Sequence, residues 1–197
     1  NRYRKFLHSI KGFEDVWFKE ETGNEIPFNK MIVRKRKEIV SLHKNLDMKR
    51  QGKYVSPDEF LNGINDKNTV ILDARNYYEY NLGRFKKAIN PNIKTFREFP
   101  EFIEKFKKDI DKNNKIYIYC TGGIRCEKAS LYMEDQGFKD VHQLHGGIIN
   151  FCQKIPNSVW EGKCFVFDKR LMSEVNKNNA PPITKCINCN EISDLQR

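Results

Sequence analysis

Residues 115–126 read KIYIYCTGGIRC, and this stretch decides the fold. Its first five residues are rich in isoleucine and tyrosine and contain no turn former, which predicts a buried strand from Lys115 to Tyr119. Two glycines follow the strand, and the pattern from Cys126 to Gln136 is typical of a helix ended by Gly137. A strand that passes through a short glycine loop into a helix predicts an α/β fold with Cys120 at the junction.

The alternation of strands and helices continues on both sides of this stretch. Ser56-Pro57-Asp58-Glu59 has the pattern of a capping box with proline at the first helical position. The further predicted elements are a helix to Ile64, a strand Thr69–Leu72 ending at Asp73, helices Tyr77–Leu82 and Pro100–Ile110, a strand Val141–Leu144 and a helix Ile148–Lys154. Residues 51–155 are therefore predicted to form one α/β domain with a parallel sheet flanked by helices.

The loop after the predicted strand has the composition of an anion-binding loop. Its backbone amides come from Thr121, Gly122, Gly123 and Ile124, and Arg125 follows at the start of the helix. Amide donors, a helix N-terminus and a guanidinium all favour a thiolate over a thiol. Cys120 is therefore predicted to be an acidic, nucleophilic cysteine, with a buried structural cysteine as the alternative.

The position of the arginine separates two kinds of chemistry. Cysteine phosphatases place an arginine six residues after the nucleophile, where it grips three phosphate oxygens, but the sixth position here is Cys126. Arg125 stands one residue earlier, which makes a tighter loop suited to sulfur or another compact group. The phosphatase interpretation is the weaker one.

The first fifty residues differ from the rest in charge and pattern. Asn1–Ile10 is predicted to be the end of an amphipathic helix, and a hairpin is predicted from strands Glu14–Glu20 and Met31–Leu42. A helix and two strands make half of a small α+β sandwich, so residues 1–50 are expected to be the C-terminal part of a truncated domain.

The excess of positive charge is concentrated at the N-terminal end. The chain has 197 residues and a net charge of +10, and residues 1–55 hold 14 Lys and Arg against 7 Asp and Glu. Such a surplus suits the phosphate backbone of a nucleic acid, and Arg34, Lys35, Arg36 and Lys37 form its densest run. A solvated charged face is the alternative.

Residues 156–197 are predicted to be an extension without a core of their own. Cys186 and Cys189 have the spacing of half a zinc knuckle, but a closed zinc site needs four ligands and no second pair stands nearby. His142 and His145 lie three residues apart, without a carboxylate motif for iron, and are interpreted as ordinary loop residues. Zinc bound by the two cysteines remains the one metal that this sequence suggests.

Several motifs together resemble a known family. Asp73-Ala74-Arg75, Glu79, Gly83, Ala88 and the Cys120 loop resemble the rhodanese domain over residues 52–155. The stretches Cys120–Lys128, Thr95–Pro100 and Trp160–Asp168 are more specifically similar to the oxygen-dependent tRNA uridine hydroxylases. That resemblance implies hydroxylation of the wobble uridine at ring carbon 5 with molecular oxygen, with Cys120 as the catalytic residue. It also implies that residues 1–50 end a ferredoxin-like domain.

Two other functions remain open beside the tRNA hydroxylase. One is a sulfurtransferase that carries a persulfide on Cys120, and the other is a tRNA-binding module without catalysis. Cys126, on the first turn of the helix, could resolve an oxidised or persulfidated Cys120, or it could simply pack in the core. Asp73 and Arg75 end a strand near the reactive loop and are predicted to form an ion pair that supports it.

The location and assembly of the protein are constrained only in part. The sequence has no run of about 18 apolar residues, which argues against a transmembrane helix, and no signal segment opens the chain. The cytoplasm is therefore the expected location, and tRNA is the expected partner. The sequence carries no information on the oligomeric state.

Overall fold

The computed structural model of the protein describes residues 2–18, 20, 26, 28–30, 33–173, 175, 184–189 and 191–193. Its helices are α1 (Arg2–His8), α2 (Pro57–Asn65), α3 (Tyr77–Leu82), α4 (Phe99–Asp109), α5 (Ile124–Asp135) and α6 (Gly147–Lys154). The strands of its main domain are β1 (Lys53–Val55), β2 (Thr69–Asp73), β3 (Gly83–Phe85), β4 (Lys115–Tyr119) and β5 (Asp140–Leu144). Beyond it lie the short strands β6 (Trp160–Gly162), β7 (Cys164–Phe165), β8 (Met172–Ser173), β9 (Thr184–Lys185) and β10 (Ile192–Ser193).

The main sheet is parallel and has the strand order β1-β5-β4-β2. Because successive side chains of a strand point to opposite faces, β4 divides its residues between two cores. Ile116 and Ile118 pack with α4 and α5, and Tyr117 and Tyr119 pack with α2 and α6. The predicted α/β domain with helices on both faces of a parallel sheet is thus confirmed.

Local signals in the sequence account for most of the helix boundaries. Ser56 accepts a hydrogen bond from the Glu59 amide, and the Glu59 carboxylate accepts one from the Ser56 amide, so the predicted capping box is formed. α5 begins two residues earlier than predicted, because Gly123 has a φ of +89° and turns the chain directly into the helix.

The predicted N-terminal hairpin is wrong for the residues that the structure describes. Within residues 14–18 and 33–42 no strand is formed, and the turn predicted at residues 22–24 lies outside the described residues. An isolated two-stranded hairpin is only marginally stable, and the described residues around it offer no third strand to pair with it. The expected helix is present as α1.

Part of the N-terminal segment packs on the α/β domain. Leu42 is 1% exposed and belongs to the core on the α4 and α5 side of the sheet. Lys128 of α5 donates to the Val40 carbonyl over 3.0 Å and forms an ion pair with Glu38 at 3.3 Å. Residues 38–42 are therefore attached to the helix that begins at the reactive loop.

The C-terminal extension is attached to the domain by backbone pairing and aromatic packing. β6 pairs antiparallel with β3, and Trp160 lies opposite Phe85. The Phe85 ring is fully buried, with ring centroids 4.7 Å from Phe151, 4.8 Å from Tyr119 and 5.0 Å from Trp160. In the described part of the chain, no helix has the length and apolar character needed to cross a bilayer.

We predict that Phe85→Ala lowers the free energy of unfolding by about 3–5 kcal/mol, because it leaves a cavity among four aromatic rings. Phe85→Leu keeps most of the volume and should cost about half as much. Urea unfolding followed by circular dichroism measures both values. The control is Phe13→Ala, where the ring is 47% exposed and the expected change is below about 0.5 kcal/mol. Similar losses for Phe85→Ala and Phe13→Ala would contradict this account of the core.

Candidate active site

The reactive loop lies at the carboxyl edge of the parallel sheet. β4 runs between β5 and β2 and ends at Tyr119, so Cys120 leaves the sheet at its centre. Ligands of open α/β sheets bind at this edge, because loops from neighbouring strands converge there. The structure thus places Cys120, the loop residues 121–124 and Arg125 together, as the sequence predicted.

Backbone contacts hold the loop against α6. The Cys120 carbonyl accepts the Ile148 amide at 3.0 Å, and the Thr121 carbonyl accepts the Ile149 amide at 3.2 Å. Gly147 makes this close approach possible, since a Cβ atom there would lie 2.5 Å from the Cys120 carbonyl oxygen. Its φ of +68° also favours glycine. The loop is therefore rigidly supported from behind.

The Cys120 sulfur lies inside the loop, close to several hydrogen-bond donors. It accepts the Gly123 amide over 3.1 Å, and the residue is 2% exposed. Burial alone would raise the pKa of Cys120, but the hydrogen bond from the Cys126 thiol, the charge of Arg125 and the amides of residues 125 and 126 together lower it to about 6. At neutral pH Cys120 is a thiolate, the nucleophilic form of cysteine.

Arg125 is held by a buried carboxylate. Its guanidinium donates to both oxygens of Glu79, at 2.6 and 2.7 Å, and Glu79 is fully buried. Burial lowers the pKa of Arg125, but the charge of Glu79 outweighs it and raises the pKa above its usual range. Thr121 Oγ1 lies 3.4 Å from Glu79 Oε1 and 3.4 Å from Arg125 Nη2, so the loop is connected to this ion pair. Arg125 therefore acts on Cys120 as a fixed charge, with two of its nitrogens bonded to Glu79.

Asp73 and Arg75 form the predicted ion pair behind the site. Both side chains are fully buried, and Arg75 Nη2 lies 2.6 Å from Asp73 Oδ2 and 2.6 Å from the Gly83 carbonyl. The guanidinium also lies over the rings of Tyr119 and Trp160, at 5.6 and 5.3 Å. The pair thus joins the ends of β2 and β4 to β3 and β6, which is a supporting role.

Cys126 is a fully buried neighbour of the nucleophile. Burial and the hydrogen bond to the Cys120 sulfur raise the pKa of the Cys126 thiol, so it stays protonated and donates. It therefore stabilises the thiolate in addition to filling the core. Its predicted role as a resolving cysteine stays a prediction.

Aromatic side chains surround the loop on two sides. Phe167 is 64% exposed and lies over the Arg125 guanidinium at 5.7 Å. It borders a cavity of about 780 Å³ that Tyr78, Phe165 and Asp168 also line. On the other side, the Trp17 ring packs on His145 with centroids 4.9 Å apart.

The other predicted site residues lie in the N-terminal segment and the C-terminal extension. Arg34, Lys35, Arg36 and Lys37 are exposed, and Lys37 shares a cavity of about 430 Å³ with Ile124 and Lys128. Cys186 and Cys189 are exposed thiols, and the Cys189 amide lowers the pKa of Cys186. In the described residues, His, Cys, Asp and Glu form no cluster of three that could hold a metal, so this pair supplies two ligands where a closed zinc site needs four.

Comparison with known proteins agrees with this geometry. The Rhodanese-like domain model matches residues 56–154, and the Rhodanase C-terminal model matches residues 161–197. A protein of Legionella pneumophila strain Paris named tRNA uridine(34) hydroxylase is 49% identical over 87% of this chain and 68% of its own length. A protein of the same name from Streptococcus pneumoniae strain Hungary19A-6 is 44% identical over 93% of this chain and 59% of its own length.

The chain belongs to the tRNA uridine(34) hydroxylase family. It spans about three fifths to two thirds of the length of these relatives. Among solved structures, a rhodanese-like domain from Anabaena sp. has a TM-score of 0.47 at 21% identity, over 55% of this chain and 78% of its own. A rhodanese-like domain protein from Staphylococcus aureus has a TM-score of 0.41 at 27% identity, over 50% of this chain and 90% of its own. The family assignment rests on the sequence relatives and the domain models.

Sequence reasoning missed two features of this family member's site. Glu79 was among the residues that resemble the rhodanese domain, but its ion pair with Arg125 was not predicted. The two residues are 46 positions apart, and no local pattern indicates their contact. Trp17 was assigned to no site, and the structure places it beside Gly146 near the reactive loop. A tryptophan within the basic N-terminal segment was the one signal in the sequence that could have drawn attention to it.

We predict that the Cys120 thiol titrates with a pKa of about 6, which the ultraviolet absorbance of the thiolate measures. The difference between the wild type and Cys120→Ser isolates this titration from the other cysteines. The double variant Glu79→Gln/Arg125→Gln removes both charges without leaving one buried alone, so the loss of the cation should raise the pKa. A wild-type midpoint near that of an ordinary cysteine would contradict the assignment.

Proposed function

We propose that the protein hydroxylates carbon 5 of the wobble uridine of tRNA, with molecular oxygen as co-substrate and Cys120 as the nucleophile. The observation that carries this proposal is the buried Cys120 thiolate in a loop of backbone donors, in a chain nearly half identical to a tRNA uridine(34) hydroxylase. The proposed location is the cytoplasm, where tRNA is present. We also propose that residues 1–50 are the C-terminal part of a ferredoxin-like domain.

The thiolate supplies what this reaction needs at its first step. Carbon 5 of uracil is a poor partner for oxygen until electron density is placed on it. Addition of the Cys120 sulfur to carbon 6 forms a C–S bond and moves the ring π electrons toward carbon 5 and the carbon 4 oxygen, which gives an enolate. Donors of the loop and the charge of Arg125 stabilise negative charge near Cys120.

The later steps must restore the ring and balance the electrons. Capture of oxygen at carbon 5 leaves one oxygen atom on the ring, and reduction of the other to water takes two electrons and two protons, which a pair of external thiols would supply as they form a disulfide. Loss of the carbon 5 proton and departure of the Cys120 thiolate then regenerate the double bond. A leaving thiolate of pKa about 6 departs more readily than that of an ordinary cysteine.

Mass analysis of tRNA nucleosides tests the proposal. Cells that lack the full-length protein should lose 5-hydroxyuridine and its derivatives at the wobble position, and labelled oxygen gas should supply the new atom. Wild-type protein should restore the modification, and Cys120→Ser should not, because a hydroxyl does not ionise at neutral pH. Circular dichroism should show that this variant is folded. If hydroxylation survived the deletion while thiolated nucleosides fell, Cys120 would instead carry a persulfide in a sulfurtransferase.

The basic N-terminal segment is proposed to bind the tRNA backbone. Replacement of Arg34, Lys35, Arg36 and Lys37 by glutamine should weaken tRNA binding, and the slope of log K against log salt should fall by up to roughly three. Titrations at several salt concentrations measure this slope. The matched control replaces Lys108, Lys112, Lys115 and Lys139, which are exposed near the amino ends of β4 and β5, away from Cys120. Equal changes in slope for the two variants would show that the N-terminal run has no special role.

A further inference from the structure

A small cavity opens beside the reactive loop. Its volume is about 140 Å³, and its walls come from three parts of the chain. Gly122 belongs to the reactive loop, two residues from Cys120, and Trp17 and Glu20 belong to the N-terminal segment, where Glu20 forms an ion pair with Arg4. The third wall is α6 and the residue before it, with Gly146, Ile149, Asn150 and Gln153.

The reactive loop and the α6 wall form one rigid unit. The hydrogen bonds from the Ile148 and Ile149 amides join α6 to the carbonyls of Cys120 and Thr121. The cavity therefore keeps a fixed position relative to the nucleophile. A ring bound there would lie against the rim of the loop that holds the thiolate.

Trp17 provides an aromatic wall for a flat ligand. The side chain is 51% exposed, although its ring packs on His145. A Cβ atom on Gly146 would lie 2.9 Å from the Trp17 ring and 2.6 Å from Asn150 Cβ. The absence of a side chain at Gly146 therefore allows the indole and the asparagine to approach the backbone closely at this side of the cavity. Bases of single-stranded RNA are commonly bound by stacking on such rings.

Asn150 provides a directional hydrogen-bond acceptor. Its Nδ2 donates to the His145 carbonyl over 2.8 Å, which fixes the orientation of the amide and turns Oδ1 away from that carbonyl. Gln153 is oriented in the same way, because its Nε2 donates to the Glu20 carbonyl over 2.9 Å. Both residues line the cavity, and because their amide nitrogens donate elsewhere, the group that each amide can offer to a ligand is its oxygen.

Uracil and cytosine differ at ring nitrogen 3, the atom that would contact an amide oxygen in the cavity. Uracil carries a hydrogen on ring nitrogen 3 and donates there, whereas cytosine has a bare acceptor at the same position. A fixed amide oxygen therefore attracts uracil and repels cytosine.

We propose that this cavity binds the uracil ring of the RNA substrate, with Trp17 stacking on its face and Asn150 Oδ1 accepting the hydrogen of ring nitrogen 3. The inference rests on the proposed function, because it assigns a substrate subsite to that reaction. Asn150 is then the residue that selects uridine over cytidine, and Trp17 contributes affinity without selection.

Binding of two matched RNA hairpins tests the proposal. The full-length protein with Cys120→Ser, which blocks turnover, is titrated with anticodon stem-loops that differ only in U or C at position 34. We expect about tenfold tighter binding of the U34 hairpin, the effect of one well-placed hydrogen bond. Asn150→Leu should bind U34 only as well as C34. Trp17→Ala should weaken both hairpins several-fold, and Trp17→Phe should retain most of the affinity.

The controls separate recognition from folding and from catalysis. Asn62→Leu changes an exposed asparagine on α2 and should keep the preference for U34. A misfolded variant would lose both hairpins equally, unlike the selective loss expected of Asn150→Leu. Equal binding of U34 and C34 by the parent protein, or a preference that survives Asn150→Leu, would overturn the inference while leaving the proposed hydroxylation intact. If the nucleoside analysis instead showed no loss of hydroxylation, the proposed function would fail independently of this result.

Discussion

The Cys120 thiolate is a negative charge in an almost fully buried position, and a buried charge is unstable unless nearby groups compensate it. The Gly123 amide, the Cys126 thiol and the Arg125 guanidinium provide that compensation. These groups in turn depend on other residues. Arg125 is itself buried and needs Glu79, and the loop needs glycines so that its amides can turn inward.

These requirements explain why the site reaches across so much of the domain. Glu79 lies on α3 and Arg125 on α5, so their ion pair joins two helices around the loop. Behind it, Asp73 and Arg75 tie the end of β2 to β3, and β6 brings the C-terminal extension against the same strand. Breaking either buried pair by removing one partner would leave a lone charge, which costs more than the pair contributes. The site and the fold are therefore stabilised by the same interactions.

The surroundings of the loop differ in character from its interior. The interior binds negative charge through amides and one guanidinium, whereas the rim carries aromatic rings, with Trp17 on one side and Phe167 on the other. Such an arrangement suits a substrate that combines a reactive, charge-accepting ring with flat neighbouring groups. A single-stranded RNA loop has both properties. The basic residues of the N-terminal segment are proposed to attract its phosphates.

Local sequence signals were sufficient for the elements that depend on local interactions. The capping box of α2, the run of isoleucine and tyrosine in β4 and the glycine loop around Cys120 each involve residues a few positions apart, so the pattern alone determined them. Among the described residues the predicted hairpin is not formed, because two strands alone are marginally stable and a third strand to complete the sheet depends on residues outside the hairpin. The ion pair of Glu79 with Arg125 and the position of Trp17 beside Gly146 were decided only by the tertiary structure. They join residues 46 and 129 positions apart, and no short-range pattern encodes such contacts.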